Sequence, residues 1–237
     1  MTSILITEIA YAPDIDSLRQ ALRIRNQEDL SALEYLAAQA QALARPKAAY
    51  RPAFVAQHTD DSIIIDDVTF KSRVLRVNVG KARRVFLYLA TCGVELDAWA
   101  NSLDDMLHHY WAEEIKIQAL RAATDALYTR IQKDYQPGQT TIMNPGSLAD
   151  WPLGQQRPFF QLMGDAATQL EITLSDSCLM TPNKSVSGIR FPTETGFESC
   201  QLCPMPDCPG RRAPYDADLY AHHYALAGDA TGGRGAL

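Results

Sequence analysis

Three cysteines late in the chain are spaced in a way that suits metal binding. Cys200, Cys203 and Cys208 follow the pattern C-x2-C-x4-C, with prolines between the second and third. Thiolates hold both iron–sulfur clusters and structural zinc, and crowded cysteines in a reducing compartment indicate a metal rather than disulfides. The segment from about residue 198 to 212, here called the cysteine loop, is therefore predicted to bind a metal.

A complete site needs a fourth ligand, and more than one residue could supply it. Cys178 is the first choice for a [4Fe–4S] cluster and Cys92 the second. A zinc site would take a fourth cysteine or one of His222 and His223. Three ordinary free thiols are the remaining interpretation, and the spacing alone does not decide among them.

The elements that must position these cysteines begin with helices and short strands. Leucines at helical spacing between residues 14 and 45 predict two helices that end before Pro46. Runs rich in β-branched and aromatic residues at 63–65 and 85–89 predict buried strands.

The longest predicted helix lies between residues 94 and 136, a stretch without glycine or proline. Its apolar residues recur at helical spacing, Ser102 with Asp105 resembles an N-terminal cap, and Pro137 is the stop signal.

The rest of the chain predicts shorter elements: a strand at 140–143, a short helix around 155–163 and then loops. Because helices and strands do not alternate in a regular βαβ rhythm, we predict an α+β fold. We expect one domain over residues 1–225, with a mixed or antiparallel sheet packed by long helices and a loop-rich C-terminal region. Residues 226–237 have little to bury, which predicts a flexible tail.

The composition excludes some classes of function. With 28 acidic and 22 basic residues, the chain carries a net charge of −6, which argues against nucleic-acid binding. No apolar run approaches the roughly 20 residues of a membrane helix, and the first residues lack the basic leader of a signal peptide. We therefore expect a cytoplasmic protein without a membrane partner.

The most specific pattern lies in residues 174–191, which read LSDSCLMTPNKSVSGIRF. This segment resembles the signature of the activation domain of cobalamin-dependent methionine synthase, L-T-E-S-x-x-M-x-P-x-x-S-V-S-G-x-x-F. The matching residues are Leu174, Ser177, Met180, Pro182, Ser185, Val186, Ser187, Gly188 and Phe191.

A second segment is similar to a loop of the same family. Residues 144–147 read NPGS and residues 150–153 read DWPL, which resembles the P-G-Y…D-W-P-L…Q loop of standalone members. In that family the preceding Arg and the Tyr contact S-adenosylmethionine, whereas this chain has Ile142 and Ser147 at those positions. Neither can replace a guanidinium fork, so we expect S-adenosylmethionine to bind weakly or not at all.

The resemblance implies a protein that docks on a corrinoid-binding protein and assists reductive activation or remethylation of its cobalamin. The partner would be a methionine synthase without its own activation domain or a corrinoid methyltransferase, and whether this chain is itself an enzyme stays open. The Pro145–Gly146 loop and the Pro182–Gly188 loop are expected to converge on one concave surface. The residues expected to face the cofactor there are Pro145, Gly146, Ser147, Trp151, Pro182, Lys184, Ser185, Ser187 and Gly188.

The resemblance also bears on the metal. Reactivating cobalamin takes an electron at very low potential, and iron–sulfur centres extend to about −700 mV, so it favours a [4Fe–4S] cluster on Cys200, Cys203, Cys208 and Cys178. The alternative is a zinc-stapled binding module that docks a corrinoid protein without redox or methyl-transfer chemistry.

Overall fold

The computed structural model describes residues 2–194, 196–208 and 210–225. Within them helices and strands mix irregularly, which confirms the predicted α+β class. The α-helices are α1 (Ile15–Ala21), α2 (Gln27–Leu43), α3 (Arg73–Val79), α4 (Val94–Asn101), α5 (Met106–Tyr135), α6 (Gln156–Met163) and α7 (Ala166–Gln169). The strands are β1 (Ile4–Ile6), β2 (Lys47–His58), β3 (Ser62–Ile65), β4 (Val68–Lys71), β5 (Arg84–Thr91), β6 (Thr140–Met143), β7 (Thr173–Leu174), β8 (Met180–Thr181) and β9 (Ser185–Pro192).

Most of the strands belong to one sheet. Its order is β4-β3-β2-β5-β9-β6, with β1 also paired to β2, while β7 and β8 form a separate hairpin. Antiparallel pairs join β1 to β2, β2 to β3, β3 to β4, and β6 to β9. In β5 every residue after Arg84 is buried, which accounts for the continuous apolar sequence of this inner strand.

The chain divides into two compact units. The first contains Met1–Arg51, Leu87–Gln136 and Met163–Ser187, and the second contains Pro52–Phe86, Pro137–Leu162 and Gly188–Leu237. Of the five boundaries, three fall inside β2, β5 and β9, one falls inside α6, and one follows the end of α5. The single domain over residues 1–225 stays a prediction, and the predicted tail lies outside the described residues.

The first unit has a helical core to which α1, α2, α4 and α5 each contribute one apolar side. Leu33, Leu36, Trp111 and Ile115 are among its buried side chains. Burying a large apolar side chain stabilises a fold by roughly 1.5–3 kcal/mol, so this core is what holds the helices together.

Helix α5, of 30 residues, lies within the stretch 94–136 where the sequence predicts the longest helix, and Pro137 follows its C-cap as expected. It begins at Met106 because the Asp105 carboxylate accepts a hydrogen bond from the backbone N–H of His108, at 2.8 Å. The predicted start at Ser102 was wrong, since Ser102 is the C-cap of α4. Even so, no helix in the described part of the chain is long and apolar enough to cross a membrane.

The second unit buries its own aromatic residues. The rings of Phe70 and Trp151 meet edge to face, with centroids 6.0 Å apart, and Phe159 is fully buried as well. A cavity of about 650 Å³ lies at the C-terminal end of α3, where Pro192 and His223 are also part of its lining.

Candidate functional site

The family-like signature falls on a hairpin, a short loop and a strand. β7 and β8 pair across residues 173–181, Pro182 to Lys184 form the loop, and β9 begins at Ser185. The sequence predicted one loop through Gly188, and this is corrected here, since Ser187 and Gly188 lie buried inside β9. Their small size suits a buried strand between two neighbours, so they do not form an open ligand-binding turn.

The signature loop, residues 182–184, is held by the side chain of Glu113 on α5. One carboxylate oxygen of Glu113 accepts hydrogen bonds from Asn183 Nδ2 and Lys184 Nζ, both at 2.9 Å. The other oxygen accepts one from Lys116 Nζ at 2.6 Å. Burial acts to raise the pKa of Glu113, but the hydrogen bonds from its three partners outweigh it and lower the pKa to about 2. The loop is therefore tied to a fully ionised carboxylate at neutral pH.

Lys116 is the buried centre of this ion network. Its side chain is completely inaccessible to solvent, and its ammonium group also donates to Asp97 at 2.7 Å. Burial acts to lower the pKa of Lys116, but its carboxylate partners raise it above the ordinary value. Because a buried ammonium without partners would be strongly unfavourable, Lys116 fixes both carboxylates in place.

The backbone makes a second anchor where β5 ends. The N–H of Cys92 donates to the carbonyl of Lys184 at 3.0 Å, and the Ser185 hydroxyl donates to Thr91 Oγ1 at 2.9 Å. β5 ends at Thr91 and α4 begins at Val94, so residues 91–93 form the corner between them. Gly93 has φ 95°, and a Cβ there would lie 2.5 Å from the carbonyl oxygen of Arg45, so only glycine fits.

An exposed apolar surface continues along α5 from this anchor. Met106 and Tyr110 precede Glu113 by seven and three residues, so all three lie on one face of the helix. Met106 is 87% exposed and Tyr110 is 54% exposed. Large apolar side chains exposed on one helix face are a common mark of an interaction surface.

The second family-like segment forms a tight turn in the second unit. Gly146 has φ 85°, its N–H donates to the carbonyl of Trp151 at 2.7 Å, and the Ser147 hydroxyl donates to the carbonyl of Asn144 at 2.7 Å. Gly146 and Ser147 are exposed, whereas Pro145 is buried.

Trp151 was expected to face a cofactor, but its ring is fully buried against Phe70. The indole Nε1–H of Trp151 is buried without a hydrogen-bond partner among the described residues. Trp151 therefore packs the core behind the turn instead of lining its surface.

Asp150 connects the same turn to α3. Its carboxylate accepts hydrogen bonds from the Ser72 hydroxyl and from the backbone N–H groups of Arg73, at 3.2 Å, and Val74, at 3.0 Å. The two N–H groups belong to the first turn of α3 and have no partner within the helix, and Ser72 is its N-cap. The aspartate of the D-W-P-L segment thus caps a helix that lies far away in sequence.

The residue that replaces the family's arginine has an arginine opposite it. Ile142 in β6 pairs with Arg190 in β9. Residues directly opposite each other in an antiparallel pair lie on the same face of the sheet, with Cβ atoms about 5 Å apart. An arginine is thus present one strand away from the position where the family pattern has arginine and this chain has Ile142.

The cysteine loop begins with a turn of 3-10 helix, Ser199–Leu202, in which the Cys203 N–H donates to the Cys200 carbonyl at 3.3 Å. All three thiols are partly exposed. Burial acts to raise the pKa of Cys200, but hydrogen bonds from the backbone of Arg212 and Ala213, with the Arg212 side chain, lower it overall. A lowered pKa favours the thiolate form of Cys200.

The described thiols are not drawn together around a common point. Within residues 2–194, 196–208 and 210–225, no three His, Cys, Asp or Glu side chains are arranged to hold a metal ion. Cys178, the predicted fourth ligand, is buried in the turn of the β7–β8 hairpin, where its φ is 62°. Cys92 is fully buried in the helical core, and burial raises the pKa of its thiol to about 12.

One solved structure with a similar fold is "Crystal Structure of the MetH Reactivation Domain bound to AdoHcy". The two chains are 16% identical, with a TM-score of 0.61, and the match covers 84% of this chain and 80% of the other. At this identity the likeness shows the fold. No protein-family model matches the sequence, and no curated protein matches it.

The two family-like segments fall in different units, because the signature loop belongs to the first and the Pro145–Gly146 turn to the second. Their convergence on one surface stays a prediction. Sequence reasoning missed Glu113, Lys116 and Asp150, which hold the two segments. One signal was present: Lys116 lies four residues after Ala112 and three before Ala119, on a helix face that is otherwise apolar.

Proposed function

We propose that this chain is a partner of a corrinoid-binding protein and assists reductive activation or remethylation of the partner's cobalamin. The observation that carries the proposal is the signature loop. Asn183 and Lys184 form its accessible tip, and Glu113 fixes both side chains against α5. The likeness in fold to the MetH reactivation domain supports the same function.

The proposed docking surface consists of the tip of the signature loop and the exposed face of α5 at Met106 and Tyr110. Its proposed occupant is a cobalamin-loaded corrinoid-binding protein. Exposed methionine and tyrosine supply apolar contact area, while Asn183 and Lys184 supply donors for polar groups at the cofactor edge. A surface that mixes apolar and polar groups in this way is typical of a transient protein–protein interface.

The second part of the proposal concerns the source of the electron that reduces the partner's cobalamin. Cys200, Cys203 and Cys208, with Cys178 as fourth ligand, would hold a [4Fe–4S] cluster, which supplies an electron at low potential. The C-x2-C-x4-C spacing and the partly exposed thiols support a thiolate-binding metal. The chain's own residues would bind the metal and keep its loop folded.

The docking proposal is tested by calorimetry against methionine synthase that lacks its activation domain and carries cobalamin. Asn183→Trp places a bulky ring at the tip of the signature loop and should weaken binding at least about tenfold, the effect of a lost central contact. Gln41→Trp adds the same ring on an exposed part of α2 and should bind like wild type. Equal affinity of Asn183→Trp and wild type would contradict the proposal.

The metal is tested by analysis of protein purified without oxygen. Several irons per chain, with a broad absorbance near about 400 nm that bleaches on reduction, support the cluster. Stoichiometric zinc without iron after reconstitution would instead support the zinc-stapled binding module. That alternative is also favoured by Ile142 and Ser147, which stand where the family has Arg and Tyr.

A further inference from the structure

The outer edge of β4, in the second unit, is occupied by a side-chain amide. β4 is the last strand of the sheet in the described part of the chain, so one row of its backbone groups faces away from β3. Gln155 Oε1 accepts a hydrogen bond from the backbone N–H of Lys71 at 3.0 Å, and Gln155 Nε2 donates to the carbonyl oxygen of Lys71 at 2.7 Å. Both polar groups of the Lys71 backbone are thus bonded to one side chain.

This pair of bonds is the one that a neighbouring antiparallel strand would make. In an antiparallel ladder, a hydrogen-bonded pair of residues exchanges an N–H and a carbonyl in each direction. The amide of Gln155 carries the same donor and acceptor as a peptide group. Because the backbone groups of successive residues point to opposite edges of a strand, those of Thr69 face the same edge as those of Lys71. Gln155 therefore stands where the next strand of the sheet would lie.

The segment that carries Gln155 is fixed beside β4 by further contacts. Gln155 ends a turn of 3-10 helix. Earlier in the same segment, the ring of Trp151 packs on Phe70 of β4, and the carboxylate of Asp150 caps α3, the helix that follows β4. These contacts align the segment with the end of β4, so the amide of Gln155 is held at the strand edge.

An unpaired strand edge is where the sheets of separate molecules can join, and natural proteins protect such edges with covering loops and charged side chains. The β4 edge has both, because the Lys71 side chain is exposed and Gln155 covers the Lys71 backbone. An antiparallel edge is self-complementary about a twofold axis, so the partner that fits it is β4 of a second copy. We infer that Gln155 closes the β4 edge and thereby prevents two copies of this chain from joining their sheets. The inference does not depend on the proposed function.

The test is the association state of full-length Gln155→Ala, measured by sedimentation velocity over a range of concentrations. The variant should form dimers with a dissociation constant at least about tenfold lower than that of wild type. In dilute samples its Lys71 amide should exchange about tenfold faster than in wild type, because the hydrogen-bond acceptor has been removed, and protection should return as dimers form. Gln161→Ala is the matched control, since Gln161 is an exposed glutamine of α6, and it should behave like wild type.

A second substitution locates the contact between the copies. Thr69→Pro removes an N–H that faces away from β3, and proline is tolerated at such an edge position. Gln155→Ala combined with Thr69→Pro should therefore be monomeric. Gln155→Asn keeps a polar amide on a side chain one methylene shorter, which withdraws it from Lys71, and should dimerise like Gln155→Ala. Urea denaturation identifies the variants that are folded and can be compared.

Three results would overturn the inference. If folded Gln155→Ala or Gln155→Asn were as monomeric as wild type, Gln155 would bond to β4 without excluding a second copy. If the dimers of Gln155→Ala survived Thr69→Pro, a surface other than the β4 edge would join the copies. If wild type itself formed dimers that Thr69→Pro abolished, the edge would be open in spite of Gln155.

Discussion

The signature loop and the cysteine loop are fixed in opposite ways. The signature loop depends on a side chain far away in sequence, since the hydrogen bond from Asn183 to Glu113 spans 70 residues. The cysteine loop depends on a near neighbour, since the bond from Arg211 to the Cys200 carbonyl spans 11 residues. In the first case ionised side chains meet in a largely buried network, and in the second a guanidinium meets peptide carbonyls near the surface.

This difference predicts different sensitivities. A loop anchored through a buried ion network should respond strongly to changes of charge, because each ion depends on the others for solvation. A loop anchored through backbone carbonyls should tolerate changes to its own side chains and respond mainly to Arg211. Substitutions in the two regions can therefore test whether the contrast is real.

The largest expected effect comes from Lys116→Met, which leaves Asp97 and Glu113 without their buried cation. We expect the free energy of unfolding to fall by about 3 kcal/mol, measured by urea denaturation. Arg130→Met is the control on the same helix, because Arg130 is half exposed in its pair with Asp134 and should cost at most about 1 kcal/mol. If the free energy of unfolding fell by a similar amount in both variants, the buried network would contribute no more to stability than the exposed ion pair.

The next effect is a dependence on pH that belongs to Glu113. Its pKa of about 2 in the folded state lies below the ordinary value of 4.5, so its stabilisation is complete above pH 4.5 and is lost as the pH falls toward 2. At pH 7, Glu113→Gln should be about 1–3 kcal/mol less stable than wild type. That difference should shrink between pH 4.5 and pH 2, whereas Glu114→Gln should follow wild type throughout. A constant difference over this range would show that the carboxylate charge is not what holds the loop.

A smaller effect on stability is expected from Cys203→Ser. Because the Cys203 side chain is only partly buried and its carbonyl remains available to Arg211, the metal-free variant should unfold within about 0.5 kcal/mol of wild type. Its iron or zinc content after reconstitution should nevertheless fall several-fold. A destabilisation comparable with that of Lys116→Met would mean that the thiol, and not Arg211, shapes the loop.

The smallest expected signal is S-adenosylmethionine binding, for which calorimetry with the wild-type chain should detect little or no heat. The reason is that Ile142 and Ser147 occupy the positions of the family's contacts. Micromolar binding would contradict this expectation. If Arg190→Gln then weakened that binding by about ten- to a hundredfold, the arginine opposite Ile142 would be identified as the replacement.

Local patterns in the sequence predicted much of the fold. The leucine spacing before Pro46 and the uninterrupted stretch after Val94 correspond to α1, α2, α4 and α5, and the α+β class was correct. The start of the long helix was misplaced because two capping residues, Ser102 and Asp105, compete within four positions and only the structure shows which accepts a hydrogen bond. Small β9 residues were assigned to a loop because serine and glycine favour turns unless tertiary neighbours bury them.

The candidate site could be predicted less well from such local patterns. The signature residues were found because they are contiguous, but their anchor, Glu113, is one of many acidic residues and nothing local distinguishes it. The same holds for Asp150, whose partners at the start of α3 are more than 70 residues earlier. Trp151 was assigned to the surface because an aromatic residue beside a turn can either stack on a ligand or fill the core, and only the contact with Phe70 decides.

The capping of α3 by Asp150 has a mechanical consequence for the second unit. Three donors at the N-terminal end of α3 converge on one carboxylate in the D-W-P-L segment. Displacing the turn at Pro145 and Gly146 would therefore either break three hydrogen bonds together or pull the helix along its axis. The far end of that helix lines the 650 Å³ cavity beside His223. Helix α3, about 10 Å long at 1.5 Å per residue, therefore joins the segment after the turn at one end to the cavity wall at the other.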